Sequence, residues 1–553
     1  MPSLPWSLVL FVSFVLANEE TSLLVKIQQG PVKGYKLPNF DIFAFYGIPY
    51  ATAPTGVNRF RGPLPPPSWD EPFEATENNI ICPQNNNLFQ TFDGMQVLEN
   101  CLVATIYVPN TNKTNLPVIA YVHGGAYQIG HANRLTPKHV VHNKDVIVAS
   151  FNYRLGAHGF LCLGTKNIPG NAGMKDQVAF LRWLQKNIAS FGGNPNDVTI
   201  YGNSAGSRSA DLLMISKASS GLFKKMIGDS GGSLSAQTVQ VNPLQNAKLF
   251  AEMLKFDDVD DINALENFYL NASYEVLTSI DTTLLKDYLF TPCVERDVGD
   301  EVVLDKSPFE ILKSGEYAQV PMLYGFTEME GTYRLPIFQD WKEEMNRNFS
   351  AFLPIDLQFP SENEREETTT NVVEYYLGKD KISEENILLF VNYFTDTMYV
   401  HPMLRAIQLH LEAGHKNIYS YEYSFTSAES AKIDYTDIPA TSHSSQTTMF
   451  FDSENEHEGS DEYKEMKRII REMYTNFAIF GEPCPHGSSL PHWPSITKEN
   501  MQIMSLNQTL EMKPLQHRAT FWDDVYAKYY RNPSIPTVSA NPIRYLRNKL
   551  LIL

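Results

Sequence analysis

Short apolar runs rich in Val, Ile and Tyr recur at Pro117 to Val122, Val146 to Phe151, Val198 to Tyr201, Pro321 to Tyr324 and Ile418 to Tyr423. Runs of that length and composition predict buried strands. Val178, Leu181, Leu184 and Ile188 fall at spacings of three and four, which predicts a helix over Asp176 to Ser190 with one apolar face. Strands alternating with helices imply an α/β class, a mostly parallel sheet covered on both faces. Pro and Gly crowd Ala53 to Ser68, read as an extended surface loop. The acidic stretch from Asp452 to Glu465 reads as a solvated loop entering a helix at Tyr463. No internal repeat or interdomain linker breaks the pattern.

The first apolar run differs from the others. Leu8 to Leu16 ends in Val15-x-Ala17, a pattern suited to signal peptidase, so residues 1–17 read as a secretory leader and 18–553 as one catalytic domain with long insertions. The run is too short for a bilayer, which needs about 20 residues. The end of the chain, Asn548 to Leu553, carries no lipid-anchor signal, so no stable membrane anchor is expected. Secretion permits disulfides; five cysteines, Cys82, Cys101, Cys162, Cys293 and Cys484, leave at least one thiol unpaired. Sequons at Asn112, Asn271, Asn348 and Asn507 are glycosylation candidates for the same compartment.

Composition narrows the partners. With 553 residues and 43% hydrophobic content the chain can bury a large core. Its 45 Lys+Arg against 63 Asp+Glu give a net charge of −18, which repels phosphate backbones, so no nucleic-acid partner is expected. Nothing in the sequence sets an oligomeric state.

The chemistry sits where Val198 to Tyr201 runs into Gly202-Asn203-Ser204-Ala205-Gly206. A serine on a sharp strand-to-helix turn needs glycines two residues to either side, because side chains there collide with strand and helix. The turn lifts the Ser204 hydroxyl off the sheet and sets the Ala205 N–H beside it at the positive end of a helix over Ser207 to Ser216. A second small-residue turn, His123-Gly124-Gly125-Ala126-Tyr127, follows the strand at Pro117. It can aim backbone N–H groups at the oxygen that turns negative when a serine attacks an ester carbonyl.

These stretches resemble the type-B carboxylesterases, the family of the cholinesterases and the secreted insect esterases. The similarity runs from about Val25 to Trp522. It is carried also by Gly47 to Ala51, Arg59-Phe60-Arg61, Glu99 to Leu102, Asn152 to Gly156, Gly170 to Gln177 and Phe191 to Pro195. The resemblance implies an α/β-hydrolase fold, a carboxylic ester hydrolase and a Ser204, Glu330, His443 triad. In Gly325 to Gly331 it matches the acid to Glu330 rather than Glu328, and in Pro439 to Ser444 it matches the base to His443. It further implies an oxyanion hole of the Gly125, Ala126 and Ala205 N–H groups and support of the triad by Ser230. Ion pairs Arg59–Glu99 and Arg154–Asp176 and a Cys82–Cys101 disulfide are implied in the same way. Such a triad needs neither metal nor cofactor; none is expected, and no His-Glu-x-x-His or Cys-x-x-Cys pair occurs.

Four departures limit the match. The residue before the nucleophile is commonly Glu in the family and is Asn203 here, removing a negative charge that would attract a cation. The loop from Cys82 to Cys101 has no Trp, so the cation–π contact of choline esterases is missing. Ser444-Ser445-Gln446 lacks the acids frequent after the histidine. Cys162, Cys293 and Cys484 match no further family bridge; free buried thiols are the simpler expectation, with a nonstandard bridge as the alternative. The style is that of the secreted insect branch, with pheromone or odorant acetates, juvenile hormone, and dietary or xenobiotic esters as candidate substrates. The rival expectation is a noncatalytic, neuroligin-like adhesion or binding protein on the same fold. A lipase would need an amphipathic lid, and none is evident.

Overall fold

The computed structural model of the chain describes residues 21–86, 90–452, 459–515 and 517–536. The expected leader over 1–17, the C-terminal stretch 548–553 and residues 453–458 of the acidic run lie outside the described residues.

A 13-stranded sheet organises the fold. In chain order its main strands are β1 Ser22–Ile27, β2 Gly30–Lys36, β3 Ile42–Pro49, β4 Val103–Pro109, β5 Leu116–Val122, β6 Ile147–Phe151, β7 Gly193–Asn203, β8 Lys225–Asp229, β9 Met322–Thr327, β10 Ile418–Tyr423, β11 Gln502–Leu506 and β12 Leu510–Pro514. Across the sheet they run β1-β2-β3-β4-β6-β5-β7-β8-β9-β10-β11-β12, with Phe73–Glu74 pairing to β2. The stretch from β6 to β11 is parallel throughout. Antiparallel pairs close both flanks. All five predicted strands fall in the parallel centre.

The central strands are apolar at successive positions because each face packs against helices, and the two-residue period divides their side chains between two cores. Val118, Ala120 and Val122 of β5 share one core with Val178, Leu181 and Leu184 of helix α1, Ala172–Asn187. Ile119 and Tyr121 belong to the other, with Ile470, Met473 and Phe477 of helix α4, Asp461–Phe480. Helix α1 begins four residues before the predicted start. Its last turn tightens to a 3-10 helix, Ile188–Phe191, closed by Gly192 at φ 87°. The acidic run enters α4 at Asp461, two residues before Tyr463; Ser460 caps it and Asp461 and Glu462 sit in its first turn, where the helix dipole favours them. Ala53 to Ser68 is the expected irregular segment, broken by one 3-10 turn, Gly56–Asn58.

A third core is built almost wholly from the segment between β9 and β10: Phe338, Trp341, Val372, Phe390, Phe394 and Tyr399 pack with Trp522.

Two disulfides form. Cys82–Cys101 is bonded as expected. Cys162 and Cys293 are bonded as well, which corrects the expectation of free thiols there; the fold brings together residues 131 apart, and no local spacing signals that. Gly170, at φ 104°, lies against the bond, and a Cβ there would sit 2.6 Å from both sulfurs. Cys484 is the free cysteine.

Candidate active site

Four parallel strands deliver the candidate residues at their C-terminal ends, where ligands bind in parallel α/β sheets. β5 leads into His123-Gly124-Gly125, β7 into Ser204, β8 into Ser230 and β9, three residues on, into Glu330. His443 comes from the long loop after β10, one residue short of a left-handed turn at Ser444 (φ 64°) that starts helix α3, Ser445–Phe450.

Ser204 holds φ 55°, ψ −121°, a conformation costing a non-glycine residue about 1–3 kcal/mol, and helix α2, Ala205–Ile215, starts directly after it. The flanking glycines are required by contact. A Cβ on Gly202 would lie 2.1 Å from the Gly206 carbonyl oxygen, and one on Gly206 would lie 2.0 Å from that of Val122. The turn is pinned by the Ser204 N–H, which donates to the Asp229 carbonyl at 2.7 Å.

From this turn Ser204 Oγ lies 2.9 Å from His443 Nε2, and His443 Nδ1 lies 2.5 Å from Glu330 Oε2. Glu330 is fully buried, and its other oxygen accepts the Thr327 N–H at 2.8 Å, which fixes the carboxylate plane. Glu328, the alternative acid in the same motif, makes no bond to His443; burial raises its pKa, with the charge of Glu422 adding to the rise and those of Lys513 and Arg518 opposing it.

The turn after β5 is bent by Gly125 (φ 118°), Ala126 (φ 55°) and Tyr127 (φ 62°); a Cβ on Gly125 would lie 2.0 Å from the Ile129 carbonyl oxygen. Among the described residues, the N–H groups of Gly125, Ala126 and Ala205 donate to no acceptor within the protein. Three unspent donors beside a serine hydroxyl are what a developing oxyanion requires. His123 locks the turn from below. Its ring stacks on Tyr153 at 4.3 Å and its Nδ1 bonds the Gly124 carbonyl at 2.8 Å, while burial lowers its pKa to about 3 and keeps it neutral.

Ser230 meets the histidine loop rather than the acid: its Oγ accepts from Gln446 Nε2 at 2.9 Å, and its N–H donates to the Gly325 carbonyl at 2.7 Å. The ion pairs Arg59–Glu99 (3.2 Å) and Arg154–Asp176 (2.6 Å) both form.

Several neighbours of the site are not signalled by the motifs. Tyr333 and Tyr399 place their rings 5.3 Å and 4.6 Å from the His443 ring; Tyr399 comes from a π-helical turn, Asp396–Val400, in the segment between β9 and β10. Asp229, beside Ser230, is wholly buried and accepts hydrogen bonds from the hydroxyls of Tyr201, Tyr421, Tyr474 and Thr447. Its position directly before Ser230 was the one available signal.

Comparison with known proteins assigns a family over most of the chain. A family model described as "Carboxylesterase family" matches residues 21–522. A carboxylic ester hydrolase of Bombus ignitus is 31% identical over 86% of this chain and 88% of its own length. The juvenile hormone esterase of Tribolium castaneum is 30% identical over 89% of this chain and 90% of its own. The crystal structure of juvenile hormone esterase from Manduca sexta, with OTFP covalently attached, superposes with a TM-score of 0.80 at 28% identity, covering 92% of this chain and 100% of that one. With an α/β-hydrolase sheet and matches of this extent, the chain belongs to the carboxylesterase family and is a carboxylic ester hydrolase.

Proposed function

We propose that Ser204, His443 and Glu330 hydrolyse a carboxylic ester through an acyl-enzyme in a secreted protein, residues 18–553 forming one catalytic domain behind the leader. The observation that carries this is the unbroken succession of contacts from Ser204 Oγ to His443 Nε2 (2.9 Å) and from His443 Nδ1 to Glu330 Oε2 (2.5 Å). A serine hydroxyl is a weak nucleophile until a base takes its proton. His443 Nε2 takes it as Oγ bonds to the ester carbonyl carbon. Glu330 holds the Nδ1–H tautomer and offsets the imidazolium charge without itself taking the proton. The carbonyl oxygen, now negative, receives the N–H groups of Gly125, Ala126 and Ala205, each worth about 3 kcal/mol in such sites. Collapse expels the alcohol with the proton from His443. Water, deprotonated by the same imidazole, then releases the acid and regenerates Ser204.

Secretion is supported by the two disulfides, which belong to oxidising compartments, and by the exposure of the sequons at Asn112, Asn271 and Asn348, with Asn507 partly exposed. The relatives' names make juvenile hormone one candidate substrate beside acetate, dietary and xenobiotic esters. A fluorophosphonate probe tests the mechanism: we expect stoichiometric labelling of Ser204 and none in Ser204→Ala. Labelling that survives in that variant refutes the assignment of the nucleophile.

A further inference from the structure

Two arginines flank the rings that pack on His443. Arg208 lies one helical turn beyond Ser204 on α2, its N–H donating to the Ser204 carbonyl at 3.0 Å. Arg334 follows Glu330 by four residues on the 3-10 helix Glu330–Ile337. The Arg208 guanidinium stands 5.5 Å from the Tyr399 ring centre, and that of Arg334 stands 5.5 Å from the Tyr333 ring. Both charges also act on the one Tyr399 hydroxyl, opposing the upward push of burial on its pKa. The Arg334 guanidinium also stands 5.0 Å from the Trp341 ring and 5.1 Å from that of Tyr288, and its Nη1 donates to the Thr283 carbonyl at 3.5 Å. Gln237 links the two side chains. The Lys286 carbonyl accepts from Arg334 Nη2 and from Gln237 Nε2, and the Gln237 carbonyl accepts from Arg208 Nη1, each at 3.4 Å.

These contacts leave both cations short of partners. Arg208 is 1% exposed and Arg334 is 0% exposed, yet among the described residues neither forms an ion pair. Distances of 3.4 Å lie beyond the usual range for N–H donors, about 2.7–3.2 Å. Arg208 Nε and Nη2 and Arg334 Nε find no acceptor within the protein. Contact with a ring face attracts a guanidinium but leaves the in-plane N–H groups unused. Arg154, equally buried, shows the contrast: Asp176 is bonded to its Nε and Nη2, and three backbone carbonyls accept from its Nη1 and Nη2. A buried cation without an anion is costly, and buried donors without acceptors call for a reason, of which a bound anionic group is one.

We infer that Arg208 and Arg334 bind a carboxylate carried by the substrate, so that the preferred ester is one whose acyl or alcohol part bears a free acid group. The inference rests on the hydrolase reading of Ser204 and narrows its substrate: neutral acetates and terpenoid esters become secondary. A planar carboxylate matches the in-plane fork of a guanidinium and would neutralise the excess positive charge left when Glu330 is paired with His443. The net charge of −18 does not oppose this at short range, because surface charges more than about 10 Å away are screened at ordinary ionic strength.

The test compares each acid-bearing ester with a neutral isostere on the purified full chain: monoethyl glutarate against ethyl valerate for the acyl side, and 3-acetoxybenzoate against 3-acetoxybenzamide for the alcohol side. We expect kcat/KM to favour the acid by at least about tenfold in one pair, mainly through KM, the size expected for charge-assisted hydrogen bonds. The preference should collapse toward unity in Arg208→Gln and Arg334→Gln and be partly restored in Arg208→Lys. A readout independent of variants is inhibition of phenyl acetate turnover by the unreactive monoamide glutaramate, which should compete at a concentration at least about tenfold below that of glutaramide. Equal or poorer turnover of both acids, with neutral esters still hydrolysed, overturns the inference and leaves the hydrolase reading standing. Failure to hydrolyse any of the four removes both.

Discussion

Asn203 holds Gly124 in place: its Oδ1 accepts the Gly124 N–H at 3.1 Å. The same oxygen accepts the Tyr121 hydroxyl at 2.7 Å, and its Nδ2 donates to Ser444 Oγ at 3.3 Å, beside His443. The residue before Ser204 thus joins the turn that carries Gly125 and Ala126, a central strand and the loop that carries His443. Its neutrality matters as well as its reach, since an amide can accept from two donors and still donate to a third, which a carboxylate cannot. In Asn203→Ala the Gly124 N–H loses its acceptor and the turn loses its tie to Ser204. Misplacing oxyanion donors lowers kcat, and we expect a fall of about 10- to 100-fold with a smaller change in KM. Steady-state kinetics on a short-chain ester measure it; a kcat within about twofold of the wild type would show that the turn stands without Asn203.

Residues whose surroundings are local were legible in the chain, and those made by distant contacts were not. The five predicted strands are central and covered on both faces, so they read as continuous apolar runs. Strand β8, equally central, is Lys-Met-Ile-Gly-Asp; its ends are polar because Lys225 pairs with Asp197 and Asp229 serves a buried hydroxyl cluster, and periodicity passed over it. Gly202 and Gly206 were readable because the collisions they avoid lie within one turn and its neighbouring strand. By contrast, the Cys162–Cys293 bond spans 131 residues and the contact of Tyr474 with Asp229 spans 245. The two arginines near His443 carry no local signal at all, since an arginine on a helix is ordinarily a surface residue.

The buried acid Asp229 sets a pH dependence. Burial lifts its pKa from 3.8 to about 6, and the hydroxyls of Tyr421, Tyr474, Tyr201 and Thr447 only partly pull it back. A carboxyl raised on folding is easiest to bury while protonated. Its contribution is therefore most favourable below the unfolded value of about 3.9 and is lost as pH climbs through about 6. Asp356 and Asp396, also raised to about 6, act in the same direction, so only a difference between proteins isolates Asp229. In Asp229→Asn that loss is removed. The melting temperature of the variant minus that of the wild type should grow between about pH 4 and about pH 6.5. A difference that is flat or shrinks over that range would contradict the raised acid.

The two disulfides should contribute unequally. Closing a loop removes freedom from the unfolded chain, and the removal grows with the logarithm of loop length. The separation of 131 at Cys162–Cys293 corresponds to about 4–5 kcal/mol, and that of 19 at Cys82–Cys101 to about 3 kcal/mol. Cys162→Ser should accordingly lower the melting temperature more than Cys82→Ser. Alkylation in denaturant without reductant, followed by intact mass, should add a single adduct, at Cys484. Three adducts would mean that Cys162 and Cys293 are thiols.

Glu330 offers the sharpest separation of charge from shape. Its Oε1 accepts the Thr327 N–H at 2.8 Å while Oε2 faces His443 Nδ1 at 2.5 Å, so a carboxylate satisfies two donors at once. In Glu330→Gln the side chain keeps its length and burial but has one oxygen. The Thr327 N–H, a backbone donor enclosed by the core, claims that oxygen, because a buried N–H without an acceptor is costly. The amide nitrogen is then left toward His443 and can only donate, which places the imidazole proton on Nε2. An Nε2–H cannot take the proton of Ser204, so the base is lost without any disturbance of the fold. We expect kcat to fall by about 10²- to 10⁴-fold, with the melting temperature little changed and Glu330→Asp, which retains the charge, recovering part of the rate. Activity of Glu330→Gln within about tenfold of the wild type would move the role of acid to another residue, and Glu328 makes no bond to His443.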